Sequence, residues 1–546
     1  VAPGRDAVIG RRAFLASASA LLAGACTRAS PPIPPGELLG VNHRLGHRLR
    51  DPDFAAPVEN RRARVVIVGS GIGGLSAAWR LHRAGFSDYE ILELEKAPGG
   101  NARWGENPVS AYPWGAHYVP LPTKESRATR TLLSDLGVLQ GDPDAAAPRY
   151  DERALCQAPQ ERLYRNGTWV EGLAPTDGLS AAGLADWNRF HERMAEYKAL
   201  RGRDGLRAFA APIDRSSRDP GLLALDRITM AAWLDAHGFR SEAVRWLVDY
   251  ACRDDYGRDS RAVSAWAGIH YFACRTGAAH GAEPDSVLTW PEGNGHLVKR
   301  LVARVRPRIT HEALVYRVEE GAREVRLNAL LASERRSVAI RAEHVIWAAP
   351  LRFAARALAD SALAPDLAEF EQSPWIVANL TLSEPPYVHH GAPLAWDNVV
   401  HGAASLGYVV ATHQGVGTRP GPTVLTWYLP LAGEAPASGR RRILESTREH
   451  WARVALDELA RPHPEIRSIA TRVDVFANGH AMAFPQPGLV WGEARRRIAA
   501  RRGRLHFAHA DASGASLFEE ANERGTAAAE AVLAALGGRV ESVRAA

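Results

Sequence analysis

Apolar positions along this 546-residue chain follow two rhythms, one suited to buried strands and one to amphipathic helices. Residues 65–68 (Val-Val-Ile-Val) form an uninterrupted β-branched run, which predicts a strand covered on both faces. Residues 75–84 then read as a helix, with Gly85 placed to end it. A second strand is expected over residues 89–93. Further strands are expected at 314–318, 324–327, 344–350, 375–382 and 423–429, and a helix at 229–237. Asn166-Gly167 predicts a tight hairpin turn within residues 164–169. The chain closes on a strand, a loop and an alanine-rich helix running to Leu536. Strands alternating with helices in this order predict an α/β fold.

Between the first strand and helix stands Gly69-x-Gly71-x-x-Gly74. Gly69 permits the tight turn, Gly71 lets a pyrophosphate approach the backbone, and Gly74 allows close helix–strand packing. The helix N-terminus then faces the phosphates with free N–H groups. Glu93 lies 24 positions beyond Gly69, near the roughly 20 expected of a ribose-binding carboxylate; Glu95 is the alternative. Strand, glycines, helix, strand and acid together predict a dinucleotide site. Gly99-Gly100 follows, where the chain can pass close to a ligand, with Arg103 able to reach a phosphate.

At 46% hydrophobic and 23% charged the chain is globular. Its net charge of +6 does not point to nucleic acid, because the basic residues are almost all arginine, are dispersed, and form no run interleaved with aromatics. Arg11-Arg12 before an apolar run ending near Ala25 reads as a twin-arginine export signal, too short for a membrane span, which needs about 20 residues. Residues 22–26 are similar to a lipoprotein cleavage site that would leave lipid on Cys26; plain cleavage is the alternative. The expected location is periplasmic, free or membrane-anchored, with the twin-arginine machinery as a partner. Cys156, Cys252 and Cys274 form no Cys-x-x-Cys motif, and no metal site is expected. Cys252 and Cys274 are read as buried thiols, with a bridge between them as the alternative.

These pieces together resemble the flavin-containing amine oxidase, phytoene desaturase and protoporphyrinogen oxidase superfamily. The motifs that carry the resemblance are the glycine loop, Gly99-Gly100, Gly115-Ala116-His117, the loop 291–297 and the stretch 507–525. The resemblance implies a glutathione-reductase-like FAD-binding Rossmann domain with an inserted α+β substrate domain. It implies bound FAD, with Glu93 on the adenosine ribose and Gly99, Gly100 and Arg103 along the pyrophosphate and flavin. Val315 would meet the adenine through its backbone, Asp511 would hold the ribityl–pyrophosphate region, and the helix beginning near Leu517 would aim its N-terminus at the flavin. The expected organisation is a signal at 1–26, a linker or surface arm at 27–61, FAD-binding parts at 62–122, 285–370 and 481–546, and substrate-domain parts at 123–284 and 371–480, the last of them strand-rich.

Two departures from the superfamily stand out. The lysine its amine oxidases carry after the Val-x-x-Ala-x-Pro turn is missing, with Ala378 or Asn379 in that place, and no cysteine after Cys274 could tether FAD, so the cofactor is expected to be non-covalent. The expected activity is hydride transfer from a small organic substrate, by amine oxidation or C–C desaturation, to flavin and on to oxygen or a membrane acceptor. The alternatives are a non-redox flavin isomerase or mutase, a protein that keeps FAD structurally, and a simple NAD-binding protein. His117 and His509 lead the candidate bases, ahead of His270, His296 and His480. Asp254 and Asp255 could bind a cationic substrate or be salt-bridged, and Trp266, Tyr271, Trp396 and Tyr408 could line a pocket or fill the core.

Overall fold

The computed structural model describes residues 32–50, 53–415 and 421–544. The expected signal and Cys26 lie outside the described residues. Every element described below lies in one compact unit, residues 35–546.

One sheet is parallel, in the order Ile309–Thr310, Tyr89–Leu92, Glu59–Val68, Arg336–Trp347 and Leu505–Phe507. Within the expected buried run, Val65 and Ile67 enter one apolar core while Val66 and Val68 enter another on the opposite face. This is why the run carries no polar residue. The helices Ile72–Arg83 and Phe518–Ala535 cover the first face. They approach so closely that a Cβ on Gly525 would lie 2.1 Å from the Gly73 carbonyl oxygen. The strand Arg336–Trp347 has two uses. Residues 336–342 close an antiparallel meander with Ala313–Glu320 and Val325–Leu331, while residues 338–347 pair in parallel with Glu59–Val68 on the other edge.

The second sheet has eight strands, in the order Leu38–Gly40, Ala470–Ala483, Gln372–Leu382, Thr423–Pro430, Tyr408–Val410, Asp397–Val400, Glu161–Arg165 and Thr168–Glu171. The hairpin turn forms as expected, with Asn166 at φ 52° and Gly167 at φ 83°. Helices Ala181–Ala199, Met230–Ala236, Glu242–Tyr256 and Ala265–Ala273 pack around Phe190, Trp233 and Trp266.

Three expectations need correction. The stretch 27–61 is more than a linker. Leu38–Gly40 joins the eight-stranded sheet parallel to Val475–Ala477, His43–Gly46 is a short helix, and the first strand of the parallel sheet starts at Glu59. Short strands without alternation carry too little pattern to be read, and this one is held by backbone pairing, with Glu37 just before it tied to Asp474 and Arg472. The stretch 371–480 is not strands alone. It holds helices Pro436–Glu445 and Arg448–Leu459, the latter buried through Trp451, Ala452, Ala455, Leu456 and Leu459 at helical spacing. The boundary at 481 also falls inside the strand Ala470–Ala483.

Candidate active site

The glycine loop takes the shape its spacing implies. Gly69 has φ +100° and donates its N–H to the Leu92 carbonyl at 2.8 Å, tying the turn to the end of the second strand. A Cβ on Gly74 would stand 2.0 Å from the Gly69 oxygen, so only glycine fits. Gly71 is the N-cap of helix Ile72–Arg83 and offers no side-chain cap, leaving the first-turn N–H groups free for a ligand. Gly99 (φ +122°) donates to the Ser70 carbonyl at 2.9 Å, and Gly100 (φ +56°) lies so near Gly71 that an added Cβ would meet its Cα at 3.2 Å. The two glycine segments therefore form one surface that backbone alone lines.

Glu93 stands just past the strand Tyr89–Leu92. One carboxylate oxygen accepts from the Ser70 N–H and hydroxyl at 2.6 and 2.5 Å, and the other from the Glu95 N–H at 2.8 Å. The Glu93 carbonyl accepts from Ala313 N–H at 2.8 Å, which brings the strand carrying Val315 alongside. Val315 is buried in that strand, next to a β-bulge. Arg103 is held by Glu95 at 3.0 Å and donates to the Gly100 carbonyl at 3.1 Å.

The C-terminal segment closes over the same loop, since a Cβ on Gly73 would lie 2.2 Å from the Ala508 oxygen. Asp511 is fully buried there. One of its oxygens accepts from Leu351 N–H and Gln372 Nε2, each at 2.9 Å, so its carboxylate caps the helix Leu351–Ala357. His509 places Nδ1 2.9 Å from the other Asp511 oxygen and sits away from the cavity wall.

A cavity opens between the two sheets, with about 960 Å³ of empty space that includes its opening to solvent. Gly100, His117 and Leu517 all line it. Leu517 is the N-cap of helix Phe518–Ala535 and also provides no side-chain cap, so a second free helix N-terminus faces this space. The far wall comes from the eight-stranded sheet through Trp375, Val377 and Phe476. Period-two alternation from Trp375 and Val377 turns Ala378 to the opposite face of the sheet. Asn379 shares the face of Val377 but lies beyond the cavity lining, where it donates to the Pro113 carbonyl and accepts from the Thr426 hydroxyl.

His117 stacks on Tyr428 with ring centroids 4.6 Å apart, and burial pushes its pKa down to about 4. Asp254, Asp255 and Glu519 also line the cavity. Asp255 pairs with Arg275 at 2.7 Å. Asp254 accepts from the Tyr118 hydroxyl at 3.3 Å and interacts with the Tyr271 hydroxyl, and burial, with Asp255 beside it, raises its pKa to about 7. Burial likewise raises Glu519 to about 7. Of the aromatic candidates, Trp396 backs His117 and Tyr118, and Tyr271 stacks under the Arg275 guanidinium. Trp266 is core, and Tyr408 bonds His463. His270 and His296 have structural partners, in the Ala210 carbonyl and Arg300, and His480 packs edge-on to Phe353.

Sequence reading missed Glu519, Phe476 and Val377, because nothing local marks a helix-start acid or a strand residue as facing a cavity. Cys156, Cys252 and Cys274 are free thiols, as expected, and none lines the cavity. Among the described residues no cluster of side chains suited to a metal exists, and no helix is long and apolar enough to cross a membrane.

Comparison with known proteins agrees with this geometry. Residues 67–136 match the family described as NAD(P)-binding Rossmann-like domain. A 61-residue stretch, 11% of this chain and 11% of the relative, is 43% identical to a Baeyer-Villiger monooxygenase of Streptomyces coelicolor. A 160-residue stretch, 29% of this chain and 20% of the relative, is 27% identical to a tryptophan 2-monooxygenase of Allorhizobium ampelinum. The chain thus matches about a tenth and a fifth of the length of these curated relatives. The solved structure of cyclohexylamine oxidase from Brevibacterium oxydans superposes with a TM-score of 0.63 at 19% identity, covering 87% of this chain and 99% of that one. The fold is therefore the mixed α/β, Rossmann-containing fold of that oxidase.

Proposed function

We propose that this chain is an FAD-dependent oxidoreductase that oxidises a cationic amine, holding the cofactor non-covalently. The observation that carries the reading is Asp254, a cavity carboxylate without an ion-pair partner, in the same chamber as Gly100 and the uncapped helix start at Leu517. The glycine cradle and the two free helix N-termini suit an extended dinucleotide with a pyrophosphate at one end and a ring that becomes anionic on reduction at the other. Glu93, Gly99, Gly100, Arg103 and the Val315 backbone would hold it. Asp511 would act through the segment it fixes, because its carboxylate is engaged in capping.

FAD, when bound, supplies the acceptor for the hydride that leaves the substrate carbon. The chain's own residues do the rest. Asp254 anchors the ammonium, and a carboxylate near pH 7 in its affinity for protons, Asp254 or Glu519, takes the proton that must leave the amine first. Hydride loss from the carbon then leaves an iminium, which water hydrolyses to a carbonyl compound and ammonium. His117, with its pKa near 4, holds the substrate in place instead of acting as base. Electrons pass on to oxygen or a membrane acceptor. The same proposal includes export by the twin-arginine route, supported by Arg11-Arg12 and the apolar run after them.

The test is anaerobic mixing of the yellow holoenzyme with a panel of amines. Loss of flavin absorbance is expected. Turnover without net redox change would instead indicate an isomerase, and a colourless purified protein would sink the flavin assignment.

A further inference from the structure

Segment 38–46 of the expected arm reaches the dinucleotide surface. Leu38–Gly40 pairs in parallel with Val475–Ala477, and the Arg103 guanidinium lies 5.0 Å from the ring centre of Phe476 in that strand. Beyond the pairing the chain turns at Asn42, whose N–H donates to Glu95 Oε1 at 2.8 Å. The short helix His43–Gly46 follows, with Leu45 buried and a Cβ on Gly46 placed 3.6 Å from the Leu94 side chain. Apolar burial does not account for the segment, since Leu38 and Leu39 stay 47% and 37% exposed.

The other Glu95 oxygen, Oε2, accepts from Arg103 Nη1 at 3.0 Å, and Arg103 Nε donates to the Gly100 carbonyl at 3.1 Å. The Arg103 stem lies against Gly99, where an added Cβ would come 3.2 Å from its Cγ. Arg103 Nη2 has no hydrogen-bond partner among the described residues. An arginine and a carboxylate left to themselves close into a two-bond fork. Asn42 prevents this by occupying Oε1, so one branch of the guanidinium stays open beside the surface that Gly71, Gly99 and Gly100 line with backbone.

We propose that Asn42 is a positioning residue: its backbone N–H restrains Glu95 so that Arg103 keeps Nη2 free for the diphosphate of the bound dinucleotide, and segment 38–46 thereby governs cofactor retention. This rests on the dinucleotide reading of the glycine loop and gives the arm its part in it.

The full-length protein is titrated with ADP and with adenosine. Displacement of bound flavin is read by fluorescence, and calorimetry reads binding where no flavin is held. Arg103→Gln should lower the ADP-to-adenosine affinity ratio by about tenfold or more. Asn42→Pro deletes the N–H at a residue whose φ of −70° proline accepts, and should lower the ratio by about 3- to 10-fold. Asn42→Ala keeps the N–H and loses only the side-chain cap on Leu45, so it should retain the ratio. Asn42→Pro added to Arg103→Gln should lower it no further, because both act on one contact. In the unsubstituted protein ADP, but not adenosine, should slow amide hydrogen exchange over residues 38–46; this decides alone if Asn42→Pro fails to fold. A ratio that survives Asn42→Pro, an effect that persists in full in Arg103→Gln, or exchange indifferent to ADP overturns the proposal. Equal wild-type affinities for ADP and adenosine overturn the dinucleotide reading and the proposal with it. The predicted ratios in a protein that holds no flavin support the arm's role and tell against the flavin reading instead.

Discussion

Asp255 pairs with Arg275 at 2.7 Å in the cavity wall, while its neighbour Asp254 makes no ion-pair contact among the described residues. Adjacent residues of a helix point about 100° apart, and that rotation separates two acids that look equivalent in sequence. Both line the chamber, but Asp255 is committed to its ion pair and Asp254 is not. Asp254→Asn should therefore raise KM for an amine by about 10- to 100-fold with a smaller effect on kcat, measured by steady-state kinetics. Asp255→Asn should act on stability, by about 2 kcal/mol in urea unfolding. That is less than the full cost of breaking a buried pair, because Arg275 keeps 26% side-chain exposure.

Glu519 should make stability fall as pH rises. Its folded-state pKa, about 7, stands above the ordinary 4.5, so the folded protein holds the extra proton and the advantage of the neutral acid is lost between about 4.5 and 7. His117 acts with the opposite sign, costing stability as pH falls from 6.5 toward about 4. Glu519→Gln should thus gain Tm over the cofactor-free wild type at pH 8 but little at pH 4.5, with a difference of roughly 2–3 kcal/mol. Equal gains at both pH values would contradict the assignment.

The acid limb of the kcat/KM profile should move in Asp254→Asn and stay in place in His117→Gln, because a group with a pKa near 4 does not titrate in the neutral range. If His117→Gln abolishes the limb, histidine is the base after all.

Gly525→Ala forces a methyl group to within 2.1 Å of the Gly73 carbonyl, at the helix crossing beneath the glycine loop. Overpacking there should cost about 1–3 kcal/mol and lower the flavin content of the purified protein. Gly85→Ala is the contrast. Nothing lies within 4 Å of an added Cβ there, but φ is +76°, so backbone strain alone should cost about 1–2 kcal/mol with cofactor content preserved.

Glu93→Gln tests the nucleotide end. The carboxylate receives the Ser70 N–H and hydroxyl together with the Glu95 N–H. Exchanging one oxygen for a donor should loosen the loop and weaken FAD retention by about tenfold, read by flavin release in dialysis. Unchanged retention would remove Glu93 from the site.

What the amino-acid order determined by itself was everything that depends on near neighbours. Gly69, Gly71 and Gly74, the strand on each side of them, and Glu93 fall within a single short stretch, and each conformation there follows from a missing Cβ or an uninterrupted apolar run. The Asn166-Gly167 turn was legible for the same reason. Which acids share a chamber depends on contacts between segments distant in the chain. Asp254 on helix Glu242–Tyr256 and Glu519 on helix Phe518–Ala535 reach one cavity from segments far apart in the chain, and the pairing of the strand Gln372–Leu382 with its neighbours turns Trp375 and Val377 toward it. Register and bulges arise from pairing between distant strands, and a one-residue change exchanges the faces completely. A side chain's chemistry can be read from the sequence, but the direction in which it points is set by everything packed around it.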